Sequence, residues 1–234
     1  MKKKDIKEYD VVVIGGGISG CEASYISAVN GARTLLISIN TDTIGYMAFE
    51  NYISNGKGIA AAGKNVWNDL VIKNAARKNK LDFNNAKSIK KDNSSDMVII
   101  DRKRQMIKIK EIIENHENIE TRQGLVIDLI FDDSIYHTVT NDGTTYKSKA
   151  IILAPGTFFD SIIFWGSYYI AAGRPGEIAS KKLLRNLIKN GFEFVEAKVY
   201  SGPRIDGRTL DLNKYIRNKE SHKLNIIPEG KETS

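Results

Sequence analysis

Tyr9-Asp-Val-Val-Val-Ile-Gly15-Gly16-Gly17-Ile18-Ser19-Gly20-Cys21-Glu22-Ala23 decides how this chain folds. Val11 to Ile14 is a short run of β-branched residues, the mark of a strand buried on both faces of a parallel sheet. Three glycines follow without a spacer, and then a segment with helical periodicity. Gly15, Gly17 and Gly20 have the spacing of the dinucleotide fingerprint. Gly15 permits the sharp turn out of the strand, Gly17 lets backbone approach a pyrophosphate, and Gly20 lets the helix lie close to the strand. The helix start adds free N–H groups and partial positive charge for phosphates. A glycine-rich turn without a ligand is the plain alternative. It is disfavoured because adjacent glycines weaken any element that does not need them.

Working outward, Ile18 to Asn30 reads as the helix and Gly31 as its stop. Thr34 to Ser38 is the second strand, completing a βαβ unit. Such a strand usually ends in an acid for the ribose hydroxyls. Ser38 holds that place, so ribose binding falls to Ser38, Asn40 or backbone groups. Cys21, in the first helical turn, reads as a small residue packed on the sheet rather than as an activated thiol.

Residues 41–95 interrupt the alternation. Asn40 to Gly45 reads as a capped turn, and Asn55-Gly-Lys57-Gly58 as a loop carrying one positive charge. A helix is expected from about Asn65 to Lys78, and residues 87–96 read as polar and mobile. Asp101 suits the N-cap of a helix reaching about Asn115, its basic residues forming a solvated face. Ile119 to Tyr146 reads as a small antiparallel meander, with a turn signal at Asn141-Asp-Gly143. Lys149 to Ala154 is a further buried strand. The Gly156-Thr157 turn at its carboxyl end is a second candidate edge of the same site, because ligands of open α/β sheets sit at strand carboxyl ends. Gly176 to Asn190 is an amphipathic helix and Phe192 to Glu196 a strand. The turn-rich segment Gly202 to Asp211 offers Arg204 and Arg208 to an anion.

The fold class expected is α/β: a Rossmann-like domain with a parallel central sheet and a small antiparallel β-meander. It spans residues 1–217, with 218–234 as a polar, flexible tail. With 234 residues the chain can bury a full core. One cysteine excludes an internal disulfide or a thiolate zinc site, and three scattered histidines have no ligand spacing. The chain has no apolar run of membrane-spanning length and no signal-peptide core, so a cytoplasmic protein is expected. The net charge of +7 suits an anionic partner such as nucleic acid, and equally follows from a Lys-, Asn- and Ile-rich composition.

Placed in order, these segments resemble the GidA/MnmG family from about Tyr9 to Leu212. The carrying motifs are Gly15-Gly-Gly-Ile-Ser-Gly-Cys-Glu-Ala23, Asn40-Thr-Asp-Thr-Ile-Gly45, Gly56-Lys-Gly58, Gly156-Thr-Phe-Phe-Asp160, Gly173-Arg-Pro-Gly176 and Pro203-Arg-Ile-Asp-Gly-Arg-Thr-Leu-Asp211. The first is shared with many flavoproteins. The last, combined with the Gly156-Thr157 turn, is far more specific.

The family's members are FAD-dependent enzymes that modify the wobble uridine of certain tRNAs. The resemblance implies that Gly15, Gly16, Gly17, Ile18, Ser19 and Gly20 hold the FAD pyrophosphate. It places Val126 against the adenosine half and assigns Ser180 to the flavin. Lys57, Arg204 and Arg208 become contacts to RNA or flavin. It also implies NADH as reductant, a methylene-folate carbon donor, tRNA as substrate, an MnmE-type GTPase as partner and a possible homodimer. The product would be 5-carboxymethylaminomethyluridine.

The chain departs from the pattern at several points. Phe49 stands where the family has a cysteine. Glu50-Asn-Tyr-Ile-Ser54 replaces its Asn-Pro and paired glycines. Its Ala-Gln-Asp-Arg helix start survives only in part in Asp101-Arg-Lys-Arg-Gln105. Family members are also far longer. A short relative that binds FAD or RNA without turning over alone is therefore a second expectation, and a small NAD(P)-dependent reductase a third. No general base stands out among Asp42, Glu50, Asp160 and Asp206.

Overall fold

The computed structural model describes residues 7–46, 52–54, 88–91, 95–99, 102–132, 134–196, 208, 215–217 and 224–226. The strand of the opening motif is β1 (Glu8–Ile14), and the helix after the glycines is α1 (Ile18–Val29). β2 (Thr34–Ser38) returns parallel to β1, pairing Val11 with Thr34 through to Ile14 with Ile37. A short 3-10 turn at Thr41–Thr43 follows, with the Asn40 side chain accepting a hydrogen bond from the Asp42 amide at 2.8 Å. That is the capped turn expected from the sequence.

β3 (Tyr52–Ser54), β4 (Ser88–Lys91) and β5 (Ser95–Ile99) form a separate antiparallel sheet in the order β3-β5-β4. Strands thus occupy much of the stretch 87–96 that was expected to be mobile. The helix expected near 65–78, the cap at Asp101 and residues Phe49 and Glu50 lie outside the described residues.

α2 (Arg102–Glu114) leads into β6 (Ile119–Gln123). β6 was read with the meander, but it pairs in parallel with β2, Thr34 opposite Ile119. β7 (Val126–Asp132), β8 (Ile135–Thr140) and β9 (Thr145–Leu153) form the antiparallel part, and β9 closes back in parallel onto β1. One six-stranded sheet results, in the order β6-β2-β1-β9-β8-β7. The parallel sheet and the meander are therefore continuous through β9. β9 reaches the meander because it is long: Thr145 to Ser148 pair with β8 while Lys147 to Leu153 run beside β1.

The sheet has a core on each face, as the unbroken apolar run of β1 requires. On one face Val13 and Leu36 pack with Cys21 and Ala28 of α1 and Ile109 and Ile113 of α2. On the other, Val12, Ile14, Leu35 and Ile37 pack with Val126 and Leu129 of β7 and with Leu183 and Leu187 of α3 (Lys181–Lys189). Each such fully buried leucine or isoleucine contributes roughly 2–5 kcal/mol by the usual cost of truncation to alanine. α3 starts at Lys181, later than the expected Gly176, because Gly173 to Ser180 is spent on a turn closed by an Arg174–Glu177 bridge.

Beyond β9 come a 3-10 turn at Gly156–Phe158 and the hairpin β10 (Ile162–Trp165) and β11 (Tyr168–Ala171). Phe192 to Glu196, expected as a strand, is irregular. β12 (Tyr215–Arg217) pairs antiparallel with β13 (Leu224–Ile226), which lies in the stretch read as a flexible tail. Among the described residues no helix is long and apolar enough to cross a membrane.

Candidate cofactor site

The carboxyl ends of β1, β2 and β9 meet at one edge of the sheet, and the glycine turn sits on it. Gly15 has φ +113°, a conformation that side chains resist. A Cβ there would also lie 2.1 Å from the carbonyl oxygen of Ala154 at the end of β9. A Cβ on Gly20 would lie 1.8 Å from the Gly15 carbonyl oxygen, so α1 packs directly on the turn. Gly16 is confined by Ser38, whose Oγ would be 2.6 Å from an added Cβ.

Gly17 differs. It is exposed, and a Cβ built on it meets nothing within 4 Å. Open space therefore faces the turn where the fingerprint places a pyrophosphate. The first intrahelical bond of α1 is Cys21 N–H to the Gly17 carbonyl at 2.9 Å. The amides of Ile18, Ser19 and Gly20 precede it and have no carbonyl a turn earlier within the helix. The first turn also carries no acidic residue. Backbone donors, the positive end of the helix dipole and free volume coincide at one point, which fits a diphosphate.

The turn after β2, where ribose binding was expected of Ser38, Asn40 or backbone groups, is held by its own side chains. Ser38 is buried and its hydroxyl donates to the Asn40 carbonyl at 2.9 Å, while the Asn40 side chain caps Asp42. Both side chains hold the turn after β2. Gly124, just beyond β6, donates its amide to the Ser38 carbonyl at 2.9 Å and brings β7 to the same edge.

The second edge expected at Gly156-Thr157 lies beside the first. Ala154 N–H donates to the Ile14 carbonyl at 2.8 Å, so the 3-10 turn begins within two residues of the glycine turn's own contact. Thr157 Oγ1 donates to the Gly173 carbonyl at 2.9 Å. Ser180, immediately before α3, is buried. Its amide donates to the Phe158 carbonyl at 2.7 Å and its hydroxyl to the Val126 carbonyl at 2.7 Å. Gly15 to Gly20, Val126, Gly156, Thr157 and Ser180 are thus linked around one edge. Lys57 and Arg204 lie outside the described residues, and Arg208 is exposed.

Cys21 is buried beside the turn, its thiol directed at the Gly16 carbonyl at 3.4 Å. Burial pushes the thiol up to about 12, so it stays protonated and serves packing, as expected. Asp42 pairs with Lys110 at 3.3 Å and Asp160 with Lys181 at 3.4 Å. Asp206 lies outside the described residues. Among the described residues no cluster of His, Cys, Asp and Glu could hold a metal ion.

Two residues at this edge escaped the sequence reading as site residues. The Arg174 guanidinium lies 4.4 Å from the centroid of the Tyr46 ring and is ion-paired with Glu177. Arg174 was legible only as part of the Gly173-Arg-Pro-Gly176 motif, and nothing in the spacing joins it to Tyr46.

A parallel sheet with a glycine turn at its carboxyl edge, and open space before a helix start, defines a fold of the Rossmann type, the class to which dinucleotide-binding domains belong. The family model described as glucose inhibited division protein A matches residues 10–229, and the chain belongs to that family, GidA/MnmG. Members of this family bind FAD. The chain is 32% identical over 220 residues to the tRNA uridine 5-carboxymethylaminomethyl modification enzyme MnmG of Ligilactobacillus salivarius, covering 91% of this chain and 34% of that one. The enzyme of the same name from Aquifex aeolicus is 33% identical over 211 residues, covering 89% of this chain and 34% of that one. The crystal structure of Aquifex aeolicus GidA in its form I crystal superposes with a TM-score of 0.71 at 31% identity, over 90% of this chain and 35% of that one. A GidA-related protein from Thermus thermophilus shares the fold, with a TM-score of 0.55 at 23% identity over 81% of this chain and 71% of that one. The chain spans about a third of the length of the curated relatives it matches.

Proposed function

We propose that this chain binds FAD at the edge formed by β1, β2 and β9, and that it serves the wobble-uridine modification of tRNA. In that reaction 5-carboxymethylaminomethyluridine is made with reduced flavin. The observation that carries the reading is the open space at Gly17, bordered by the amides that start α1 and by no acidic side chain in the first turn. When bound, the flavin supplies electron transfer and the handling of a one-carbon unit. The chain's own part is to bind and orient. The amides of Gly16 to Gly20 take the diphosphate. Val126, fixed by Ser180, borders the adenosine half, and the Gly156-Thr157 turn borders the remainder. NADH as reductant, tRNA as substrate, an MnmE-type GTPase as partner, a homodimer and a cytoplasmic location belong to the same proposal. They are supported by the family relation and, for tRNA, by the net charge of +7. Lys57, Arg204 and Arg208 are the cations proposed to face RNA or flavin.

The visible spectrum of the purified chain, before and after adding FAD, tests this reading. A stoichiometric flavin band is expected. A colourless protein that takes up no FAD overturns it.

A second reading is favoured by the hairpin β10–β11. It exposes Phe164, Tyr168, Tyr169 and Ile170, and the chain covers only a third of the matched relatives. In this reading the chain holds FAD or RNA and works only with the polypeptide corresponding to the remainder of the family's length. Single-turnover reduction of bound flavin by NADH in the isolated chain decides against it.

A further inference from the structure

Arg174 stands where the two walls of the candidate site meet. On one side its guanidinium lies over the ring of Tyr46, 4.4 Å from the centroid. Tyr46 follows Gly45, whose amide donates to the Gly16 carbonyl at 2.8 Å, so this side is tied to the glycine turn. On the other side Arg174 is ion-paired with Glu177, and the two residues form an antiparallel bridge. Gly173, the preceding residue, accepts from Thr157 Oγ1 at 2.9 Å. Gly173 is also pressed against Phe158, where a Cβ would lie 2.3 Å from the ring. One side chain therefore joins the wall after β2 to the wall after β9.

Arginine suits this task and lysine does not. A planar guanidinium can stack on an aromatic face while its edge donates to a carboxylate. Arg174 is half-buried, and Glu177 offsets its charge, so the pair is not an anion receptor in itself. Its influence on a ligand runs through the position of the walls.

We propose that Arg174 is a positioning residue of the cofactor site. It holds the Gly16–Tyr46 wall against the Gly156–Gly173 wall and thereby slows the escape of a bound dinucleotide. The proposal rests on the FAD reading above.

The test compares the wild-type chain with R174A, R174K, Y46L and the R174A/Y46L pair. FAD titration and flavin release are followed by fluorescence, alongside the melting temperature and amide exchange of the flavin-free protein. R174A and Y46L should each weaken FAD about five- to tenfold, mainly through faster release, in line with a partly desolvated cation–π contact. R174K should do no better than R174A, and the double variant no worse than either single one, because all break the same link. Melting of the flavin-free chain should shift by no more than a few degrees. Exchange at the Gly45 and Phe158 amides should rise together in R174A.

Wild-type affinity in R174A or R174K, or additive losses in the double variant, overturns the proposal. So does unchanged exchange at the two amides, a result that needs no flavin. A wild-type chain that takes up no FAD overturns the parent reading and the role in cofactor retention with it. Coupled exchange in that sample would show that the FAD reading, and not the link between the walls, was at fault.

Discussion

Ser180 Oγ donates to the Val126 carbonyl oxygen at 2.7 Å, with both residues buried. The resemblance implies separate roles for them, Val126 against the adenosine half of FAD and Ser180 at the flavin. In the fold they are one unit, tying the start of α3 to the start of β7, and the Ser180 amide extends the tie to Phe158. S180A would leave a buried carbonyl without its donor, at a cost of about 1–3 kcal/mol. Urea unfolding should show that loss, with weaker FAD binding beside it. An unchanged unfolding midpoint would mean that the carbonyl finds another donor and that Ser180 is dispensable to the scaffold.

The glycines of the turn separate folding from binding. G17A adds a methyl group to open space, so the fold should be kept within about 1 kcal/mol while FAD affinity falls at least tenfold. G15A places a Cβ 2.1 Å from Ala154 O at a φ of +113°, and G20A places one 1.8 Å from Gly15 O. Both should destabilise the chain by several kcal/mol and lower its yield before any ligand is added. Equal loss of stability in G17A and G15A would contradict the assignment of Gly17 to the ligand.

What the sequence disclosed and what it hid follow from the range of the interactions. β1, the glycine turn, α1 and β2 were legible because each depends on its own apolar run and on glycines at fixed spacing. The placement of β6 was not. Ile119 to Gln123 looks like any short strand, and only its partner, β2, makes it parallel. Phe192 to Glu196 has the composition of a strand but has no strand partner among the described residues. In the site, the family resemblance singled out Val126 and Ser180, and the strand end singled out Gly156 and Thr157, but neither signal shows that Ser180 bonds to Val126. Ser38, Asn40 or backbone groups were read as candidates for the ribose, and no local pattern shows that both side chains bond within the turn itself. The Tyr46–Arg174 contact joins residues far apart in the chain, and no local pattern encodes it.

Glu120 links the acid sensitivity of the fold to its first strand. Burial alone would raise its carboxyl. Hydrogen bonds from Lys7 and Tyr9, with the charge of Arg122, outweigh that and hold it below its ordinary value of 4.5. A folded-state value below the unfolded one stabilises the fold above the ordinary carboxylate range, and that share is lost as pH falls through it. E120Q should therefore flatten the acid limb of a stability-versus-pH curve while lowering stability modestly at neutral pH. A variant whose acid limb matches the wild type would place the sensitivity elsewhere.

Cys21 sets a limit at the other end of the scale. Its thiol moves from an ordinary 9.0 to about 12 on folding, so the unfolded chain ionises first as pH rises. The stability contributed by the neutral buried thiol is complete below about 9 and is lost as pH climbs toward 12. C21A should lose this alkaline dependence. Iodoacetamide at mildly alkaline pH should label the wild-type chain only at the rate at which it unfolds, since the thiolate is the reactive form. Fast labelling of the folded chain would contradict the buried position.

The hairpin β10–β11 presents large apolar side chains to solvent. Phe164 and Tyr169 are cross-strand partners and each is 73% exposed; Tyr168 is 78% exposed. No charged residue occurs from Ile162 to Ala171. A two-stranded hairpin of this kind gains little stability alone, and its apolar side chains lower no free energy while they face water. F164S and Y169S should therefore each change the unfolding free energy of the isolated chain by no more than about 0.5 kcal/mol. The effect is expected in association. Adding a separately produced polypeptide that spans the remaining two thirds of the Aquifex aeolicus relative should raise the FAD affinity of the wild-type chain. The F164S/Y169S pair should lose most of that gain. Equal gain in the two proteins would exclude the hairpin as the contact. Loss of stability in the isolated double variant would show instead that the hairpin is already packed within this chain.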